Sequence, residues 1–218
     1  QHAMIARLFD LQAGLPDDWR PLEPLSTFSY HFGLHAGVAA LSSLADLSSH
    51  RALLVVGQVL QVLQVLTAYT LAAGLTGRRW AGVGAALAAG GLSPMPAYYL
   101  NWGRYTQLAG QVLLPVALFA LTRAAAGAPG RVRARQGWLV LAAILLAGLG
   151  LTHYLVTLFA GLFVLAWLGL DAASRVHRRS RDVPRPWLRL AAVAALAAAL
   201  GGPWLVRVQG TQLVRSAI

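Results

Sequence analysis

Cysteine and lysine are both absent from the 218 residues, and only seven side chains are acidic. Without thiols the chain holds no disulfide, no thiolate nucleophile and no cysteine-based zinc or iron-sulfur site. Charge of either sign is scarce, since 11 % of residues are charged, about half the usual share in a soluble domain. With 57 % of residues hydrophobic, the composition is that of an integral membrane protein. Every one of the 18 basic residues is an arginine. These arginines cluster between hydrophobic runs instead of forming a stripe interleaved with aromatics, which excludes nucleic acid as a partner class. The arginine bias and the abundance of alanine reflect genome composition more than mechanism. At the start, Gln1-His2-Ala3-Met4 has neither the basic nor the apolar region of a signal peptide. Together with the end at Gln212-Leu213-Val214-Arg215-Ser216-Ala217-Ile218, which stops without a tail or anchor, this reads as a fragment expected to be truncated at both termini.

What is present is a series of apolar runs with polar punctuation. Residues 1–15 place Met4, Ile5, Leu8, Leu11 and Leu15 at helical spacing, with His2, Arg7, Asp10 and Gln12 between them. That spacing predicts a short amphipathic interfacial helix. Leu15-Pro16-Asp17-Asp18 ends it, and Pro21 and Pro24 are expected to keep the next stretch extended. Residues 30–44 are apolar but too few to cross a core of ~30 Å, which takes ~20 residues, so they predict a half-inserted or surface helix. Spans are expected at 52–75, 80–92, 108–121 and 187–206, with a long apolar run at 138–170. The fold class is all-α, a polytopic transmembrane helical bundle. Its organisation is an extracytoplasmic amphipathic segment (1–29) ahead of one transmembrane helical domain (30–218).

Three arginine groups set the orientation: Arg78 and Arg79; Arg123, Arg131, Arg133 and Arg135; and Arg175, Arg178, Arg179, Arg181, Arg185 and Arg189. The positive-inside rule assigns all three to the cytoplasm. Two of them flank residues 138–170, so that run crosses an even number of times. At 1.5 Å per residue it is about 50 Å long, which suits two short antiparallel helices turning near Gly148, Gly150, Thr152 and His153. Each half would then be about 21–26 Å long, with the turn slightly below the outer surface. A backbone break at that depth is tolerated only against protein or a wet cavity. Residues 1–29, 46–51 and the polar loop 101–107 fall on the outer face, together with Asp10, Asp17, Asp18, Glu23 and Asp46.

Asn101-Trp102-Gly103-Arg104-Tyr105-Thr106-Gln107 is the densest polar stretch between apolar runs. Arg104 beside Gly103, where backbone can approach closely, suits bidentate binding of a phosphate; the simpler reading is a guanidinium snorkelling to the interface. His31 and His35 share a helical face at i, i+4 but lack the glutamate of a zinc-protease motif. His153 interrupts an apolar run and is either a substrate contact or a buried hydrogen-bonded histidine. A hard divalent cation requires carboxylate oxygens, which leaves Asp17, Asp18 and Asp10 as the local donors, although Asp17-Asp18 after Pro16 also reads as a turn or cap. Gly90-Gly91 and Pro94-Met95-Pro96 read as a helix end and an extended lead into the polar loop.

The order of these parts resembles the GT-C superfamily of membrane glycosyltransferases, which includes oligosaccharyltransferases, protein mannosyltransferases and aminoarabinose transferases. Tyr30-His31-Phe32-Gly33-Leu34-His35 is similar to the tyrosine-proline-glycine helix start of that superfamily, with His31 where proline is common. Residues 101–107 resemble the second external loop of oligosaccharyltransferase catalytic subunits, without its acids. Leu151-Thr152-His153 is similar to a Leu-Thr-His segment of bacterial relatives. The resemblance implies transfer of a sugar from a polyprenyl-phosphate donor to a glycan, lipid or protein acceptor, on the extracytoplasmic face of a bacterial-type inner membrane. It implies a catalytic aspartate after a first transmembrane helix, expected upstream of Gln1, and a divalent metal, magnesium or manganese, as cofactor. Within this chain His2 and Asp10 are then the expected catalytic side chains. Tyr30, His31, His35, Asn101, Arg104, Tyr105, Gln107 and His153 are expected to bind substrate, and Asp17 and Asp18 to hold the metal. A transporter or flippase of a polyprenyl-linked amphiphile is the alternative, and a non-catalytic membrane scaffold the third reading; membrane lipids are partners in all three.

Overall fold

The computed structural model describes residues 1–126, 132–177 and 185–216. Arg131, Arg178, Arg179 and Arg181, which belong to the arginine groups above, lie outside the described residues, as do Ala217 and Ile218. Every described element is helical: α1 (His2–Leu11), α2 (Gly33–Ala45), α3 (Ser49–Thr76), α4 (Arg79–Leu87) with a π-helical turn (Ala88–Leu92), α5 (Met95–Asn101), α6 (Tyr105–Ala126), α7 (Val132–Thr152), α8 (Tyr154–His177) and α9 (Arg185–Ser216). Five of these, α3, α6, α7, α8 and α9, are long and apolar enough to cross a membrane, whereas α2 is not. The protein is therefore an all-α integral membrane bundle with a short apolar helix beside it, as the composition predicts.

The helices run back and forth between two ends. α4 returns along α3, because Gly82 lies against Tyr69, Gly90 against Val65 and Leu100 against Gly57. Trp138 of α7 meets Phe119 of α6, and the start of α8 meets Gly110 near the start of α6. At the other end of α8, Asp171 accepts a hydrogen bond from Trp187 of α9 at 2.8 Å, and Arg189 of α9 donates to Ala125 O of α6 at 2.8 Å. α7 and α8 are thus antiparallel. All the described members of the three arginine groups gather at one end of the bundle, hereafter the arginine end. His2, His31, His35 and His153 gather at the other, the histidine end.

α6 is the centre. Of its most apolar stretch 56 % is buried inside the protein, against 11 % for α8, whose Leu158, Phe159, Leu162 and Leu165 stay exposed. Such faces are the surface a bilayer covers.

Several boundaries differ from the sequence reading. α7 runs straight through Gly148 and Gly150, and the turn into α8 falls at His153, the last of the positions expected for it. Both continue past the apolar run into the arginine-bearing flanks, giving lengths of about 31 and 36 Å, so neither is a short half-span. Residues 80–92 do not cross alone: α4 and its π turn reach about 21 Å, and α5 completes the passage. α5 occupies the stretch expected to be extended, with Pro94 and Pro96 at its start, where a missing N–H is harmless. Tyr105, Thr106 and Gln107 belong to the first turn of α6, so the polar loop shrinks to residues 102–104. Residues 17–28 are not extended either. They fold back through Trp19 N–H to Leu25 O at 3.0 Å and Phe28 N–H to Asp17 O at 2.9 Å. This buries Trp19 and Phe28 in one apolar cluster with Ile5, Leu8 and Phe9 of α1 and Trp204 of α9.

Gly33 marks a tight approach of α2 to α7 at the histidine end. A Cβ there would lie 2.5 Å from Thr152 Oγ1 and 3.3 Å from the Leu151 backbone. Thr152 cannot swing aside freely, because its hydroxyl donates to Gly148 O at 2.7 Å. Gly33→Ala is therefore expected to cost about 1–3 kcal/mol in a thermal melt of the detergent-purified protein. Gly37→Ala on the same helix meets no atom within 4 Å and is expected to be neutral or to stabilise by up to about 1 kcal/mol. Because the chain has no cysteine of its own, Arg79→Cys and Asn101→Cys each introduce a single thiol. A membrane-impermeant maleimide is expected to label these two variants from opposite sides of sealed vesicles.

Candidate functional site

The histidine end collects side chains from four separate stretches. The start of α1 supplies His2, the approach and first turn of α2 supply Tyr30, His31 and His35, the turn into α6 supplies Arg104 and Tyr105, and the break between α7 and α8 supplies His153 and Tyr154. Close approach at two glycines permits the convergence. Gly33 lets α2 reach the end of α7, and Gly110 of α6 would put a Cβ 3.1 Å from that of His153.

His2 is the hub on one side. Its Nε2 lies 2.7 Å from Gly103 O, and its Nδ1 lies 2.9 Å from His35 Nε2. A carbonyl only accepts, so His2 Nε2–H donates to Gly103, which leaves His2 Nδ1 to accept from His35 Nε2–H. With both rings neutral the tautomers follow, and the fully buried His35 Nδ1 makes no hydrogen bond of ordinary geometry. Gly103 adopts φ +66°, a conformation that suits glycine and turns the chain from α5 into α6. Its close backbone approach, expected to serve a phosphate, serves His2.

His31 and His153 form the other side. The rings of His31 and Tyr30 stack at 4.0 Å, and those of His31 and His153 lie 5.2 Å apart. His153 Nδ1 accepts from Val156 N–H at 3.4 Å, capping α8, while His31 Nε2 is buried without a partner. Tyr154 turns its ring edge to His31 at 5.3 Å, and its hydroxyl accepts from Trp204 Nε1–H at 3.1 Å.

Electrostatics keeps these rings neutral. Burial, reinforced by the neighbouring His153 and His2, lowers the pKa of His31 to about 4. Burial again, then His2 and His31, lowers that of His35 to about 3. Burial lowers that of His2 as well. For His153 burial is again the first cause and the charge of Arg104 the second, so this guanidinium is close enough to be felt. Arg104 is exposed, lies 5.6 Å over the Trp102 ring and donates to Gln107 Oε1 at 3.3 Å.

Other expected site residues are placed elsewhere. Asp10 is at the far end of α1 from His2, about 12 Å along the axis, and accepts from Ser49 Oγ at 3.1 Å; it is not part of the cluster. His2, with both ring nitrogens engaged, is a bridge and not a free base. Asp17 accepts from Arg207 at 2.8 Å, and Asp18 accepts from Arg20 Nε at 2.8 Å, a bond that lowers the pKa of Asp18. Both carboxylates are spent tying residues 16–20 to each other and to α9. Among the described residues no three histidine or carboxylate side chains are grouped to hold a metal ion, and Asp17 and Asp18, expected to hold magnesium or manganese, face Arg207 and Arg20. Asn101 is exposed at the end of α5.

Tyr99 and Gln111 join the site without having been singled out. Tyr99 Oη accepts from Gln111 Nε2–H at 2.9 Å and, at 3.5 Å, from Gln107. Arg104, Gln107 and Gln111 thus form a polar ladder down one face of α6. The signal was present, since Gln111 is a lone amide in an apolar run four residues after Gln107, the same kind of interruption that drew attention to His153.

The unfolded histidines titrate near 6.5, whereas folded His31 and His35 do so near 4 and 3. The unfolded state binds more protons in that window, so the packing of α1 and α2 is at full strength above pH 6.5 and weakens as pH falls from there toward 4. Hydrogen exchange of residues 1–45, corrected for intrinsic rates, is expected to show lower protection at pH 4.5 than at pH 7.5. His31→Gln with His35→Gln is expected to flatten that difference.

No curated protein and no solved structure matches the chain. A family model matches residues 27–215, most of the chain and all of the cluster except His2, and the protein accordingly belongs to that family of unknown function, DUF6541.

Proposed function

We propose that the protein is part of a membrane glycosyltransferase that moves a sugar from a polyprenyl-phosphate donor to a hydroxyl-bearing acceptor, a glycan, lipid or protein, at the histidine end. The supporting observation is the convergence there of neutral histidines on one permanent cation, Arg104, at the end of the bundle opposite the arginine groups. The positive-inside rule makes the histidine end extracytoplasmic, and a bacterial-type inner membrane is the setting in which such donors are used.

In this reading Arg104 binds the donor phosphate and stabilises the charge that builds on it as the bond from the anomeric carbon to the phosphate oxygen breaks. The acceptor hydroxyl forms the new bond to that carbon. Its proton passes to a neutral ring of the cluster; His31, whose buried Nε2 has no partner, becomes the acceptor once the bound substrate opens that ring to the reacting oxygen. His153, capped through Nδ1, offers Nε2–H to a sugar or acceptor oxygen.

The transporter alternative has one observation in its favour. A groove of about 350 Å³ lies halfway along α3, where Gln61 faces the broken crossing at Gly90, Ser93 and Pro96. Broken helices beside a mid-depth groove are common in transporters.

Reconstituted protein supplied with polyprenyl-phosphate sugars separates the readings. The enzyme reading expects transfer by the wild type, a loss of about 100-fold in Arg104→Ala with insertion intact, and partial retention in Arg104→Lys. Movement of the lipid between leaflets without transfer would support the transporter, and neither activity in a stably inserted protein would leave the scaffold.

A further inference from the structure

A second groove lies at the arginine end. It holds about 400 Å³ and is walled by Leu75 of α3, Thr122 of α6 and Phe163, Ala166, Trp167 and Leu170 of α8. Thr122 turns its hydroxyl back to Phe119 O at 2.7 Å, so even this polar residue leaves its methyl to the wall. The lining is suited to hydrocarbon, and α8, with most of its surface bare, leaves the groove at the flank that faces lipid.

The charge that follows the groove wall in the chain is specific. Beyond Leu75 the chain ends α3 and presents Arg78 and Arg79, both exposed, followed by Trp80, which is 83 % exposed. The neighbouring arginines are engaged. Arg123 lies 5.6 Å over the Trp138 ring, Arg175 Nε donates to Asp171 at 2.7 Å, and Arg189 donates to Ala125 O. Arg133 and Arg135 are exposed, but they open α7, which contributes nothing to the groove wall. Arg78 and Arg79 have no side-chain partner among the described residues, they keep their charge at any physiological pH, and the adjacent tryptophan favours the membrane interface.

The geometry points to a binding site for one anionic phospholipid, with its phosphate on Arg78 and Arg79 and one acyl chain in the groove between α3, α6 and α8. Charge decides the occupant. A zwitterionic lipid brings its own cation to the two arginines, and a free phosphate leaves the apolar groove uncovered. A bound lipid of this kind fastens the α3–α4 turn to α8, whose flank is otherwise thinly packed.

The test uses the whole protein, purified in detergent and stripped of lipid, titrated with phosphatidylglycerol or phosphatidylcholine carrying brominated acyl chains, which quench tryptophan on contact. Phosphatidylglycerol is expected to quench at lower concentration. Each of Arg78→Gln and Arg79→Gln should weaken that preference about fivefold. Trp167→Phe should remove the high-affinity quenching while native mass spectrometry still shows the lipid bound. Equal quenching by the two lipids in the wild type, or a preference that survives in the Arg78→Gln, Arg79→Gln double variant, overturns the site. Displacement of the phosphatidylglycerol by inorganic phosphate at millimolar concentration overturns the part played by the groove.

Discussion

In a bilayer a backbone amide or carbonyl has no water to turn to, so a chain that crosses must satisfy its own hydrogen bonds. That constraint makes every described element of this protein a helix. It also makes each interruption costly enough to need a local cause. From α4 to α8, three breaks among the described residues show such causes: Ser93-Pro94 within the α4–α5 passage, residues 102–104 before α6, and His153 between α7 and α8. Two of the three are where the chemically interesting side chains collect. At residues 102–104 the freed carbonyl of Gly103 is taken by His2, and at His153 a ring nitrogen caps α8.

The histidine cluster is correspondingly a place of engaged dipoles, with the charge of Arg104 beside it. Burial removes protons from His31 and His35 far below their ordinary range, and a hydrogen-bonded relay fixes the tautomers of His2 and His35. Arg104 remains charged and exposed, with Gln107, Tyr99 and Gln111 arranged behind it. Beside the neutral rings the nearest fixed charge is Arg104, which His153 feels, while the carboxylates of Asp17 and Asp18 at this end are paired with Arg207 and Arg20.

Much of the architecture was legible in the chain. The arginine groups required residues 138–170 to cross twice, and the break falls at His153. The short apolar stretch before Asp46 is a non-crossing helix because it runs out of apolar residues. The convergence of His31, His35 and His153 with Arg104 followed from orientation alone. What could not be read was set by tertiary packing. α7 and α8 extend beyond their apolar cores because arginines reach the interface on long stems. Asp17 and Asp18 looked like cation ligands, yet Arg207, almost two hundred residues away, and Arg20 claim them first. Asp10 shares a helix with His2, but ten residues of helix carry it to the N-terminus of α3.

The interrupted passage beside α3 has a mechanical corollary. Pro94 and Pro96 have no N–H, and that of Met95 is held by Ser93 Oγ at 3.3 Å. The carbonyls of Ala89, Gly90 and Gly91 therefore find no donor one turn ahead, and no ladder of bonds joins the two pieces of the passage. What holds α5 in place is therefore side-chain packing and not a continuous helix: Leu100 lies against Gly57 of α3, and Tyr99 takes hydrogen bonds from Gln107 and Gln111 of α6. The position of the turn that ends in Arg104 is set by these two neighbours.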